Sequence, residues 1–178
     1  VINNAEETNQ FYSLTVPTGG GKTRTGLGFA LKHAIYNKMD RVIIVIPYTN
    51  IIEQTAKVYK KILGKEYVLE HHSNYIYDEE KNENNKEKIK LAAENWDMPI
   101  VVTTSVQFFE SIFSHNPGKL RKIHNLANSV IIFDEVQTLP PEYLQSIIQA
   151  LKQLVNYYNS SIIFSTATPT PPLLAISS

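Results

Sequence analysis

Val16-Pro17-Thr18-Gly19-Gly20-Gly21-Lys22-Thr23 follows the apolar run Phe11-Tyr12-Ser13-Leu14-Thr15 and opens a helical pattern. A strand, a glycine-rich loop and a helix in that order form the setting of a phosphate-binding loop. Gly19, Gly20 and Gly21 let the backbone approach an anion without Cβ clashes. Their N–H groups, with those of the following helix start, can point at phosphate oxygens. Lys22 adds a mobile point charge, and the Thr23 hydroxyl suits a first protein ligand to Mg²⁺. The general pattern has a glycine separated by four residues from Gly-Lys-Thr; Val16 occupies that place.

Working outward, apolar runs alternate with helical patterns along the chain, which predicts an α/β layer fold with a mainly parallel sheet. Strands are predicted at Phe11–Thr15, Arg41–Ile46, Tyr67–Leu69, Pro99–Thr103, Ser129–Phe133 and Ser161–Phe164. The β-branched run Val42-Ile43-Ile44-Val45-Ile46 suits a strand buried on both faces. A first helix from Lys22 to about Asn37 carries Leu27, Ala30, Leu31, Ala34 and Ile35 at helical spacing, with His33 off that stripe and facing solvent. A second, from about Asn50 to Leu63, has Ile51, Ile52, Thr55, Val58, Tyr59 and Ile62 on its apolar side and Gly64 at its C-terminal cap. His71 and His72 read as loop residues, since no further His or Cys stands close by to complete a metal site. The polar stretch 73–88 reads as an exposed loop, followed by a helix from near Lys86 to Trp96. Thr104 and Ser105 stand where a helix carrying Phe108, Phe109 and Ile112 is N-capped. Asn116-Pro117-Gly118 breaks the chain, and a short helix covers Lys119 to Leu126. Pro140-Pro141 starts the last helix, with Leu144, Ile147, Ile148, Leu151, Leu154, Val155 and Tyr158 in one stripe.

The chain has 178 residues, enough for a single core. Lys+Arg and Asp+Glu both number 17, so bulk charge lends no support to a nucleic-acid partner; that must come from local motifs. With no cysteine, disulfides and thiolate metal sites are excluded, and a reducing, cytoplasmic setting is expected. No apolar run reaches the ~18 residues of a membrane helix, and the polar start Val1-Ile2-Asn3-Asn4 is no signal peptide. The absence of an initial Met and the ending just beyond an apolar strand lead us to expect a piece of a longer protein.

Polar clusters fall at the carboxyl ends of the predicted strands, the edge at which open α/β sheets bind ligands. Asp134-Glu135 after Ser129–Phe133 is the most informative. Downstream of a phosphate loop, Asp134 suits Mg²⁺ and Glu135 suits activation of the attacking water.

Taken in order, Pro17–Thr23, Ile46-Pro47-Tyr48-Thr49-Asn50, Thr103-Thr104-Ser105-Val106-Gln107, Asp134-Glu135-Val136-Gln137 and Ser165-Thr166-Ala167-Thr168 resemble motifs I, Ia, Ib, II and III of superfamily 2 helicases. Loops of that kind tolerate an apolar residue where Val16 stands. The wording of Ile46–Ala56, Asn95-Trp96-Asp97, Thr103–Glu110 and Asp134–Pro140 is similar to the CRISPR-associated helicase–nuclease of type I interference systems. The resemblance runs from Phe11 to Pro169.

That resemblance implies a three-layer RecA-like P-loop NTPase domain over residues 1–178, the first helicase lobe, with ATP and Mg²⁺ as cofactors. Pro17, Thr18, Gly19, Gly20, Gly21, Lys22 and Thr23 would bind ATP, with Gln10 at the adenine; Thr23 and Asp134 would hold the metal. Glu135 would act as base, with Lys22 and Gln137 completing the catalytic set. Thr49, Asn50, Thr104, Ser105 and Gln107 would touch the backbone of single-stranded DNA, and Ser165, Thr166 and Thr168 would couple the two sites. The implied partners are single-stranded DNA, a second RecA-like lobe, a His-Asp nuclease domain and a CRISPR RNA-guided surveillance complex. No motifs IV to VI, arginine finger or His-Asp pair occur in this sequence, so the chain by itself is expected to bind nucleotide, hydrolyse it slowly and leave DNA uncut. Three alternatives stay open: another superfamily 2 DNA or RNA motor, a small-molecule kinase or signalling NTPase, and a binding module inert without its second lobe. The kinase-type reading leaves the Ser-Thr-Ala-Thr cluster and Thr49 and Thr104 without a role.

Overall fold

In the computed structural model, residues 11–16, 21–73, 83–114 and 121–167 are described. Six strands, β1 (Phe11–Thr15), β2 (Arg41–Ile46), β3 (Val68–His71), β4 (Ile100–Thr104), β5 (Ser129–Asp134) and β6 (Ser161–Thr166), form one sheet in the order β1-β6-β5-β2-β4-β3. Every pairing is parallel, so all carboxyl ends share one edge. The helices are α1 (Lys22–Tyr36), α2 (Thr49–Leu63), α3 (Glu83–Asn95), α4 (Ser105–Phe113) and α5 (Leu144–Tyr158).

The layers follow from the period-2 alternation of strand side chains. Val42, Ile44 and Ile46 of β2 pack with Leu27, Ala30 and Ala34 of α1 and Ile52, Ala56 and Tyr59 of α2. Ile43 and Val45 pack on the other face with Ala93 of α3, Phe108 of α4 and Ile147, Leu151, Leu154 and Val155 of α5. The buried β-branched run is thus shared between two cores. Gly64 closes α2 at φ 104, where a Cβ would meet the Glu66 carboxylate at 2.8 Å.

Several sequence expectations shift. Helix α1 is rotated by about one residue about its axis: Gly26, Phe29, Ala30 and His33 face the sheet, while Ile35 is 79% exposed. His33 is buried, not solvent-facing, because its Nε2 meets Ser161 Oγ at 2.9 Å and its Nδ1 lies 3.1 Å from Asn37 Nδ2. A buried polar group is stable when it has such partners. Ile51 and Ile62 of α2 are likewise exposed, and Ala56 takes the buried place. A 3₁₀ turn at Lys65–Tyr67 delays β3, which extends through His71; His71 is therefore the strand end rather than loop, and His72 follows it outside the strand. His72 is buried beside Glu70 at 3.3 Å, and Glu70 also pairs with Lys60 at 2.7 Å. Helix α3 starts at Glu83, ahead of the expected Lys86, so residues 83–88 of the stretch 73–88 expected as loop are helical instead; residues 74–82 of that stretch and the expected break at Asn116-Pro117-Gly118 lie outside the described residues. A 3₁₀ helix covers Arg121–Leu126, and another at Pro141–Tyr143 precedes α5.

Candidate nucleotide site and nucleic-acid edge

Strand β6 sits between β1 and β5, and this order assembles the site. The loop after β1 is stitched to β6 by Val16 N–H donating to Thr166 O at 3.2 Å. Gly21 follows at φ 73, a left-handed conformation that suits glycine, and its carbonyl accepts from Arg24 and Thr25 N–H as α1 begins. Lys22 thereby faces the end of β5. Its ammonium lies 3.1 Å from Asp134 Oδ1 and donates to Glu135 Oε1.

The acids are held from three sides. Ser165 Oγ and Glu135 N–H both donate to Asp134 Oδ1, each at 3.0 Å. Gln137 Nε2 donates to Glu135 Oε2, and Thr166 Oγ1 donates to Gln137 Oε1 at 3.0 Å. The second bond fixes which end of the Gln137 amide faces the carboxylate. Glu135 itself stands at φ 49, a region that non-glycine residues rarely adopt, before a 3₁₀ turn capped by Thr138 Oγ1 donating to its carbonyl at 2.8 Å. Burial pushes the Glu135 carboxyl up, but the bonds from Lys22 and Gln137 and the Lys22 charge outweigh it and hold the group below its ordinary value. Burial also pulls Lys22 down; Glu135 and Asp134 more than reverse that and raise it. Both groups are therefore charged at neutral pH.

This donor set fits a magnesium nucleotide. The Thr23 hydroxyl and the two carboxylates are hard oxygen donors, and Mg²⁺ typically takes one or two carboxylates together with substrate phosphates. Lys22 already places a positive charge between the two acids. Among the described residues no cluster of three or more His, Cys, Asp or Glu could hold a metal by itself. Gln10, Pro17, Thr18, Gly19, Gly20 and Thr168 lie outside the described residues.

Farther along the same edge, Thr49 and Asn50 begin α2 after β2, and both are exposed. The neighbouring β4 ends at Thr104, the register partner of Ile46. Thr104 caps α4, its Oγ1 accepting from Gln107 N–H at 3.2 Å. That leaves its own O–H as a donor. Ser105 and Gln107 are half-buried beside it. Tyr59 escaped notice in the sequence because it fits the apolar stripe of α2; its hydroxyl donates to Thr23 O at 3.1 Å.

The family model described as the type III restriction enzyme, res subunit, matches residues 1–171. The chain belongs to that family. A curated relative, the CRISPR-associated nuclease/helicase Cas3 of Haloferax volcanii, is 31% identical over 188 residues, covering 94% of this chain and 20% of that protein. The chain therefore spans only 20% of the length of that relative. The T. fusca Cas3 structure with ATP superposes with TM-score 0.75 at 17% identity, over 94% of this chain and 20% of that one. The Pyrococcus furiosus Hef helicase domain gives 0.65 at 19% identity, over 99% and 34%. The fold is thus that of a RecA-like helicase lobe, and the likeness to Cas3 agrees with the resemblance carried by the motifs. Among the described residues no helix is long and apolar enough to cross a membrane.

Proposed function

We propose that the chain is the ATP-binding lobe of an ATP-dependent single-stranded DNA translocase acting in CRISPR defence. The observation that carries this reading is the meeting of Lys22 with Asp134 and Glu135, tied by Gln137 to Thr166 at the next strand end. With nucleotide bound, Lys22 would exchange its carboxylate partners for phosphate oxygens, and Thr23 and Asp134 would hold a Mg²⁺ ion, which would supply charge neutralisation to the phosphates. Glu135, released from Lys22 and still held by Gln137, accepts a proton from the attacking water. Ser165 and Thr166, bonded to Asp134 and Gln137, would couple that centre to the nucleic-acid edge, a role that the motif also assigns to Thr168. The neutral hydroxyl, amide and helix-start groups there suit phosphate contacts without a basic surface. A second RecA-like lobe supplies the arginine that this reading requires for fast turnover, worth on the order of 10³–10⁵ in rate in other NTPases.

Calorimetry of ATP–Mg²⁺ binding to wild type and Lys22→Ala tests the site. The variant should bind at least about tenfold more weakly, about 1.4 kcal/mol; equal affinities reject the site. The family match favours a second reading, the motor lobe of a restriction-type enzyme. The two separate on whether the ATPase of the longer protein is triggered by DNA alone or needs DNA opened by a CRISPR RNA-guided complex.

A further inference from the structure

Helix α1 starts without the local anchors common at helix N-termini. Gly21 provides no side-chain cap, and the first turn has no acidic residue. Yet this turn carries Lys22 and Thr23. A side chain from elsewhere reaches it: the Tyr59 hydroxyl donates to the Thr23 carbonyl at 3.1 Å. A carbonyl has two lone pairs, so this bond can stand beside the helical one. The Tyr59 side chain is seated in the core with the residue 2% exposed, between α2 and the sheet, and is not free to swing away. Thr23 O is an acceptor only, so the Tyr59 hydroxyl is the donor in this bond.

We propose that Tyr59 is a positioning residue of the nucleotide site: its hydroxyl sets the first turn of α1 so that Thr23 and Asp134 face one magnesium ion. The inference rests on the nucleotide reading above. Tyr59 touches neither phosphate nor metal and acts through the Thr23 backbone. It also ties that turn to α2, whose exposed start bears Thr49 and Asn50 about three turns away.

The test is ATP binding to the full 178-residue chain by calorimetry, with magnesium and with EDTA. Tyr59→Phe keeps the ring and removes the hydroxyl. The gain in affinity on adding magnesium should fall about tenfold, the scale of losing a group that orients a metal ligand. Affinity in EDTA should stay within about twofold. In a Thr23→Ala background, Tyr59→Phe should bring no further loss of the magnesium gain, since both act through one ligand. An unchanged magnesium gain in Tyr59→Phe, an equal loss with and without metal, or an additive loss in the Thr23→Ala background would each overturn the proposal. If wild type binds no ATP, or Lys22→Ala binds as well as wild type, the nucleotide reading falls and this inference with it. That outcome is distinct, because it shows before Tyr59 is altered.

Discussion

The two halves of the carboxyl edge are built differently. At the ends of β5 and β6, Lys22, Asp134, Glu135, Gln137, Ser165 and Thr166 are bonded to one another. At the ends of β2 and β4, Thr49 and Asn50 stand exposed, and the Thr104 hydroxyl serves its own helix. The first half has its charges paired and oriented within the chain, one ammonium between two carboxylates, so a ligand there must exchange partners. In the second, Thr49 and Asn50 face water while Thr104 is buried beneath its own helix start, so a ligand there meets neutral groups that no other strand end engages. A bonded network responds to substitution as a unit, whereas separated surface contacts add nearly independently.

The sharpest way to break this comparison is Glu135→Gln, which keeps the volume and removes the charge. In a two-lobed protein it should leave ATP affinity within a few-fold and lower DNA-stimulated turnover by at least roughly 10²-fold. Near-wild-type ATPase in the presence of single-stranded DNA would falsify the base assignment. Any change in affinity should be a slight rise, because the substitution frees Lys22 from one of its two acids.

Acid should separate the regions by a smaller margin. Burial, then the charges of Lys122 and His72, lower the His71 imidazole to about 4. A histidine depressed from 6.5 in the folded state contributes stability above about pH 6.5 that is lost as pH falls toward 4. The wild type should lose about 1–2 kcal/mol more than His71→Leu between pH 6.5 and 4.5 in urea unfolding, after discounting for the solvent that reaches the ring. Parallel pH profiles for the two proteins would refute it. Glu135, held below its ordinary value, stays ionised over most of this window, so its ion pair with Lys22 should outlast the change at β3.

The smallest effects belong to the open half. Thr104→Asp preserves an N-cap acceptor, so any loss of single-strand binding reports charge rather than a frayed helix. Thr104→Asp and Thr49→Asp should each weaken binding of single-stranded DNA to a two-lobed protein about three- to tenfold at low salt, shrinking as salt rises. Their combined effect should be close to the product of the two. Unchanged affinity at low salt removes these residues from the track, and strong coupling between them erases the contrast with the nucleotide half.

Much of the molecule is legible in one dimension. Val42–Ile46 announces a strand covered on both faces, because only burial on both sides favours an unbroken β-branched run. Gly21-Lys22, Asp134-Glu135 and Thr104 could be placed at strand ends because these local signals depend on backbone freedom, charge and capping. What could not be read is which strands become neighbours and how each helix is turned about its axis. Periodicity defines a stripe but not its centre; a sequence-distant partner decides that, as Ser161 does for His33 across 128 positions. The insertion of β6 between β1 and β5, which brings Thr166 to the loop and Ser165 to Asp134, is a property of long-range pairing alone. Tyr59 makes the same point within one residue: its apolar ring is determined by the helical repeat, while its hydroxyl acquires a purpose only where the fold sets it against Thr23.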